Sequence, residues 1–248
     1  MKHDRAAWLE GGVATCCSPP PMVHRPVRLV LLGAPGVGKG TQAELLTERL
    51  GACHLSTGDV FRTAKQHSNG ELSPVMAAAL EHMKRGELVP DETVLAILRE
   101  RSRCLHCRGG FLLDGFPRTV AQAEALQKTL RELGVALDAV VSYELPLEQV
   151  AERICGRRTC ARCHAIYHLE ALRPKVADIC DTCGGPLTQR EDDHPEPVRV
   201  RLAAHQKSTA PLVEYYRHLN LLLPVAVGSV PEVTFERTIA ALREWSTT

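Results

Sequence analysis

No run of apolar residues in this 248-residue chain approaches the roughly 20 that a membrane-spanning helix needs, so no membrane partner is expected. The first 26 residues lack the apolar centre of a signal peptide: Trp8-Leu9 is followed at once by Glu10 and two glycines. Cys16-Cys17 has no apolar stretch before it, which argues against a lipid anchor. We expect residues 1–26 to be a disordered extension, with Met22 as an alternative start. An excess of one charge is missing too. Lys+Arg number 30 and Asp+Glu 29, and the pI is about 7.6, so nothing global draws the chain to nucleic acid, although a local basic pocket can sit inside a neutral total. No His/Asp pair stands near the motifs described below as an obvious acid and base. What is present is ordinary for a soluble domain: 44% hydrophobic and 24% charged residues, enough for a buried core. A cytoplasmic location is expected.

Val27 to Leu32 is a short, continuous apolar run, the pattern of a buried parallel strand. Gly110 to Leu113, Ala139 to Leu145 and Leu221 to Val227 have the same character. Between them lie helical patterns at Lys39 to Leu50, Ser73 to Arg85, Asp91 to Arg103, Thr119 to Leu133, Pro197 to His218 and Pro231 to Trp245, with capping residues at Ser56 to Asp59. Strands alternating with helices predict an α/β fold with a parallel sheet covered on both faces. From Gly156 to Asp193 the periodicity weakens and paired cysteines appear, which marks an insertion outside that core.

Gly33-Ala-Pro-Gly36-Val37-Gly38-Lys39-Gly40-Thr41 matches the phosphate-loop pattern G-x4-G-K, between an apolar strand and a helix as the motif requires. Its glycines let backbone N–H groups curl around phosphate oxygens, and the helix N-terminus adds positive potential. Lys39 reaches the outer phosphates. The pattern then departs, because Gly40 occupies the usual hydroxyl position. A magnesium ion would therefore lean on phosphates, water and a carboxylate elsewhere, for which Asp114, at the end of a buried strand, is the candidate.

Ten cysteines are many for a cytosolic chain, and four explain themselves as metal ligands. Cys160-x2-Cys163 and Cys180-x2-Cys183 are separated by 16 residues, close to a four-cysteine zinc template. Four thiolates close a tetrahedron, so the Zn2+ would be structural, and a metal cross-link suits an insert too small to build its own core. Two disulfides or free thiols are the alternative. Cys104 and Cys107 form a third C-x-x-C without a partner pair, expected not to bind metal; Cys16, Cys17, Cys53 and Cys155 have no telling spacing. The insert holds six Lys/Arg and six Asp/Glu, whereas a nucleic-acid-binding zinc ribbon should be basic, so no nucleic-acid partner is expected.

The phosphate loop, Ser56-Thr57-Gly58-Asp59 with Arg62, Gly86-Glu87-Leu88-Val89, Phe111 to Thr119 with Gln122, Gly156-Arg157-Arg158 and Arg190-Glu191-Asp192-Asp193 occur in an order that resembles the adenylate kinase family, from Val27 to the C-terminus. The resemblance implies a P-loop NTPase-like core (27–55, 90–155 and 194–248), an AMP-binding helical segment (56–89) and a zinc-binding lid (156–193) within a kinase region 27–248. It implies reversible phosphoryl transfer, ATP + AMP = 2 ADP, with Mg2+, in a chain expected to be a monomer. By resemblance, Gly36 to Thr41, Arg157, Ile166 and Tyr167 would meet ATP. Thr57, Arg62, Glu87, Leu88, Val89, Gly115, Phe116, Pro117, Arg118, Gln122, Arg190 and Arg201 would meet AMP, with Gln122 reading the adenine. Lys39, Asp114, Arg118, Arg157, Arg190 and Arg201 would serve the transfer. His54, His164, His168 and His205 have no motif role and are expected at surface or structural positions. The text departs from the family at Val227-Gly228-Ser229, where no ATP-base contact is assigned, and in the spacing between Arg62 and Gly86. Another nucleoside monophosphate kinase (for UMP, CMP or GMP), or a P-loop ATPase whose zinc module binds a partner, are the competing readings.

Overall fold

The structure is a computed structural model, and it describes residues 5–11, 26–67 and 74–245. Five parallel strands form its central sheet: β1 (Val27–Gly33), β2 (Cys53–Ser56), β3 (Gly110–Asp114), β4 (Ala139–Glu144) and β8 (Leu222–Ala226), in the order β2-β3-β1-β4-β8. Side chains alternate between the two faces, as strand geometry requires. From β1, Leu29 and Leu31 point to one core with Ala43 and Leu46 of α2 (Lys39–Leu50) and Ile239 of α10 (Pro231–Trp245). Val30 and Leu32 point to the other, with Val60 and Phe61 of α3 (Thr57–His67), Ala79 and Leu80 of α4 (Pro74–Lys84), Leu98 of α5 (Asp91–Glu100), Leu126 of α6 (Val120–Glu132) and Leu212 of α9 (Pro211–His218). Because β1 is flanked by β3 and β4, the chain switches direction beside it, and the crevice opens above its carboxyl end. The phosphate loop sits at that point.

Outside the insert, the expected strands and helices are present, with three differences. The strand β2 was not anticipated; it is only four residues long and owes its extended form to the parallel ladder with β3. The helical stretch expected from Pro197 to His218 is two helices, α8 (Pro195–Ala204) and α9, joined by a π-helical turn at His205–Thr209. There Ala210 N–H donates to the His205 carbonyl at 2.8 Å, just before Pro211, which has no N–H to give. The third difference is at the N-terminus. Residues 5–11 are not a disordered tail: Ala6–Leu9 form a short helix, α1, and Trp8, only 1% exposed, joins the core beside α3. Cys16, Cys17 and Met22 lie outside the described residues.

Beyond α7 (Leu147–Cys155), β5 (Arg157–Cys160) pairs antiparallel with β6 (Ile166–His168) and β7 (Leu187–Thr188) in a separate three-stranded sheet. Its own small core is Cys160, Tyr167, Cys180 and Leu187. No helix among the described residues is long and apolar enough to cross a membrane.

Cys53 and Cys107, for which spacing gave no pairing, are joined by a disulfide across 54 residues, with Cα atoms 6.8 Å apart. The parallel register explains the meeting, since Cys53 lies opposite Phe111, close after Cys107. A loop of that length loses roughly 4 kcal/mol of unfolded-chain entropy when closed. Cys53→Ser or Cys107→Ser should lower Tm by on the order of 5–10 °C in scanning calorimetry; an unchanged Tm would remove the cross-link from the account.

Candidate active site

The phosphate loop follows β1 directly and is shaped by glycine. Gly38 caps α2 in the left-handed region (φ 103°), and Gly36 (φ 79°) leaves no room for a Cβ against Ile154, so both positions favour glycine for its backbone freedom. Lys39 opens the helix. Its Nζ donates to the Gly33 carbonyl at 2.8 Å and the Ala34 carbonyl at 2.9 Å. Burial lowers its pKa to about 8; Arg118, Arg201 and Arg157 push the same way and Asp114 opposes them. A cation so placed favours a polyanion, because Asp114 only partly offsets its burial and the neighbouring guanidiniums.

The loop forms the floor of a cleft of about 370 Å³, within the range of small-molecule sites. Along its walls stand Arg62, Arg118, Arg157, Arg190 and Arg201, brought from α3, the turn after β3, β5, the segment after β7, and α8. Cations outnumber carboxylates in the lining. Burial lowers Arg118 to about 10, helped by repulsion from Arg201 and Arg62. Burial also lowers Arg190, with Arg62 and Arg157 adding to it, and lowers Arg201, where Arg157 and Arg62 add to it and Asp192 and Asp193 oppose it. Arg62 Nε is buried without a hydrogen-bond partner. Such a cleft is poised for anions.

Two carboxylates hold this cluster together. Asp193, fully buried, accepts from Arg157 Nε at 2.8 Å and from Arg157 Nη2, and receives Arg201 Nη1 at 3.2 Å. Asp192 lies 2.9 Å from Arg201 Nη1. Burial pushes Asp192 up, but Arg201 and Arg157 outweigh it and its carboxyl stays below the usual range. On the opposite wall Asp114 ends β3. Burial raises it, but the hydrogen bond from His54, with the charge of Lys39, leaves it lowered. His54 Nε2 lies 3.2 Å from Asp114 Oδ2 and its Nδ1 3.2 Å from Arg5 Nη1. Arginine only donates, so Nδ1 accepts and Nε2 carries the proton offered to Asp114.

Most of the expected residues come together. Gly36 to Thr41, Arg62, Glu87, Leu88, Asp114, Gly115, Pro117, Arg118, Arg157, Ile166, Tyr167, Arg190 and Arg201 all line the cleft. Thr57, Val89, Phe116 and Gln122 do not; they stand behind its wall. Thr57 Oγ1 donates to the Gly115 carbonyl at 3.1 Å. Gln122, expected to read adenine, is 2% exposed and spent at both ends: its amide donates to Asp91 Oδ1 at 2.6 Å and its oxygen accepts from Arg118 N–H at 2.7 Å. His54, His164, His168 and His205, expected at surface or structural positions, all line the cleft; burial, with Lys39 and Arg118, lowers His205 to about 4. Arg153 and the loop Val227 to Pro231 also line it. A turn after an edge strand carries no motif that announces such a role.

Comparison with known proteins decides the family. The family model described as "Adenylate kinase" matches residues 31–221. The chain belongs to the adenylate kinase family. An adenylate kinase of Carboxydothermus hydrogenoformans is 49% identical over 208 residues, covering 84% of this chain and 95% of that one. One from Caldicellulosiruptor saccharolyticus is 50% identical over 202 residues (82% and 92%), and one from Citrifermentans bemidjiense 47% over 218 residues (88% and 100%). The described chain is thus an adenylate-kinase-type phosphotransferase, and the helix α1 precedes the matched segment.

The cysteine quartet fits a metal. All four sulfurs lie within 4.8 Å of one another, with Cys160 Sγ 3.4 Å from Cys183 Sγ and Cys163 Sγ 3.5 Å from Cys180 Sγ. A tetrahedron of thiolates around zinc at about 2.3 Å has edges of about 3.8 Å. The N–H groups of Arg162 and Cys163 point at Cys160 Sγ, at 3.4 and 3.5 Å, and Tyr167 Oη lies 3.5 Å from Cys180 Sγ; contacts of this kind orient metal ligands.

Removing Asp193 leaves the largely buried guanidiniums of Arg157 and Arg201 without the carboxylate they share. Asp193→Ala should therefore destabilise the fold by ~3–5 kcal/mol in urea unfolding; a loss under about 1 kcal/mol would show that the carboxylate is not the keystone of the cluster.

Proposed function

We propose that this chain catalyses the reversible, Mg2+-dependent reaction ATP + AMP = 2 ADP by direct in-line transfer between two nucleotides held in the cleft. One observation carries it: a single cleft runs from a phosphate loop to a second basic face, with arginines converging between them. Two polyanions can meet there, and their mutual repulsion is what the guanidiniums offset.

ATP would lie along Gly36 to Thr41, its outer phosphates toward Lys39. Arg153, beside the Gly228 carbonyl at 3.4 Å, together with Val227 and Val230, supplies a cation and apolar walls suited to a base. AMP would lie toward Glu87 and Leu88, its phosphate held by Arg62 and Arg118. Thr57, Val89, Phe116 and Gln122 would support that wall, and Gln122 reaches adenine only by exchanging its Asp91 bond. Arg157, Arg190 and Arg201 would neutralise the charge that develops on the transferring phosphoryl group. The attacking oxygen of AMP is already largely ionised, since its second pKa is about 6, and no general base is needed. Bound with ATP, Mg2+ supplies further neutralisation between the phosphates. Asp114 is the carboxylate to hold it: a Cβ at Gly40 would stand 3.6 Å from Asp114 Oδ2, so that carboxylate faces the position without a hydroxyl. Zn2+ in the cysteine quartet would cross-link the lid over the ATP side, where Ile166 and Tyr167 line the cleft. Action as a monomer is part of this proposal.

The test is a coupled assay with Mg-ATP and AMP, run beside UMP, CMP and GMP and beside elemental analysis of the purified protein. ADP formation with AMP as the preferred acceptor is expected. Faster turnover of another monophosphate, or ATP hydrolysis indifferent to AMP, would give the reaction to a competing reading. Lys39→Met should lower kcat at least about 100-fold with the circular dichroism spectrum unchanged. Cys160→Ser should lose the metal and lower Tm; retained zinc and an unchanged Tm would reject the structural metal.

A further inference from the structure

Arg5 stands at the rim of the cleft on a segment that precedes every phosphate-binding motif and lies outside the stretch the family model matches. Its helix, α1, is fixed from two directions. Trp8 Nε1 donates to the Ser56 carbonyl at 2.9 Å, at the junction of β2 and α3, and the Trp8 carbonyl accepts from the buried Arg101 Nε at 2.6 Å. A fully buried indole with its N–H satisfied is a strong anchor for so short a helix. Three residues earlier the anchored segment delivers a guanidinium. Arg5 Nη1 donates to Asp59 Oδ2 at 3.1 Å, while the other oxygen of Asp59 accepts from Arg62 Nη2 at 2.7 Å. The three side chains are 14–25% exposed, so solvent screens them only in part.

We propose that Arg5 is a positioning residue for the monophosphate side of the cleft: docked by Trp8, it occupies one oxygen of Asp59 and so leaves Arg62 held by a single bond, free to offer its remaining N–H groups to the AMP phosphate. This rests on the reading of Arg62 as an AMP-phosphate ligand. The physical reason is competition. A buried carboxylate facing one arginine tends to a bidentate pair, which would satisfy Arg62 within the protein and turn it from the cleft. With Arg5 on Oδ2 that second bond is already made, and Arg62 Nε is left buried and unpartnered. The charge of Arg5 also adds to the attraction for an anion at this rim.

The test compares Arg5→Ala, Arg5→Lys, Trp8→Ala and Arg62→Ala in steady-state kinetics with each substrate varied. Arg5→Ala should raise KM for AMP about fivefold, with KM for ATP and kcat within about twofold. Arg5→Lys should recover most of the loss, because the native contacts use only one nitrogen. Trp8→Ala should mimic Arg5→Ala by releasing the segment. An unchanged KM for AMP in Arg5→Ala, while Arg62→Ala raises it, would overturn the proposal alone. An equal rise for both substrates would make the segment merely structural and overturn it as well. If Arg62→Ala itself leaves KM for AMP untouched, the AMP-side assignment fails first and the role of Arg5 fails with it.

Discussion

The structure is organised around a repulsion. Guanidiniums and a lysine are gathered into one partly desolvated cleft, where like charges raise each other's free energy more than they would in water. Asp193 and Asp192 on one wall, and Asp114 and Asp59 on the other, offset part of that cost. The remainder is what bound phosphates relieve. Burial lowers the proton affinity of Lys39, Arg118, Arg190 and Arg201, with neighbouring cations adding to it, and an arriving nucleotide reverses the neighbours' contribution. Affinity for polyanions is thus stored in the folded protein before any substrate arrives, and the fold has to be stable enough to hold it.

That stability comes from the parallel sheet, and its reach explains the site. Residues far apart in the chain converge because β1 and β3 end side by side, with Leu31 opposite Asp114. The phosphate loop and the turn that carries Arg118 therefore open on one crevice. The arginines after β7 and on α8 approach from the insert's far end, where Asp193 bonds Arg157 of β5 and Arg201 of α8 together. One side chain thereby joins the small antiparallel sheet to the main domain.

What could be read from the sequence was what is local. The phosphate loop, the run from Asp114 to Arg118 and the cysteine spacing are contiguous patterns whose chemistry follows from residue type and interval. Strands β1, β3, β4 and β8 were visible as apolar runs. What escaped depends on partners distant in the chain. Cys53–Ser56 has no strand pattern of its own and is extended because β3 lies beside it. The Cys53–Cys107 bond follows from that register. His54 has no meaning until Arg5 and Asp114 flank it. Trp8 looked like part of a tail, because its burial requires a groove formed by α3 and β2. Gln122 is the opposite case: its motif position is plain, but its two hydrogen-bond partners, Asp91 and Arg118 N–H, appear only in three dimensions.

The disulfide has a mechanical side. The strand β2 lies at the margin of the sheet, and a strand so short has few ladder bonds to keep it from peeling away. The helices α3, α4 and α5, which lie between Cys53 and Cys107 in the chain, hang from that margin. Clamping its two ends covalently makes the intervening chain a closed bight, so the border that carries these helices stays zipped.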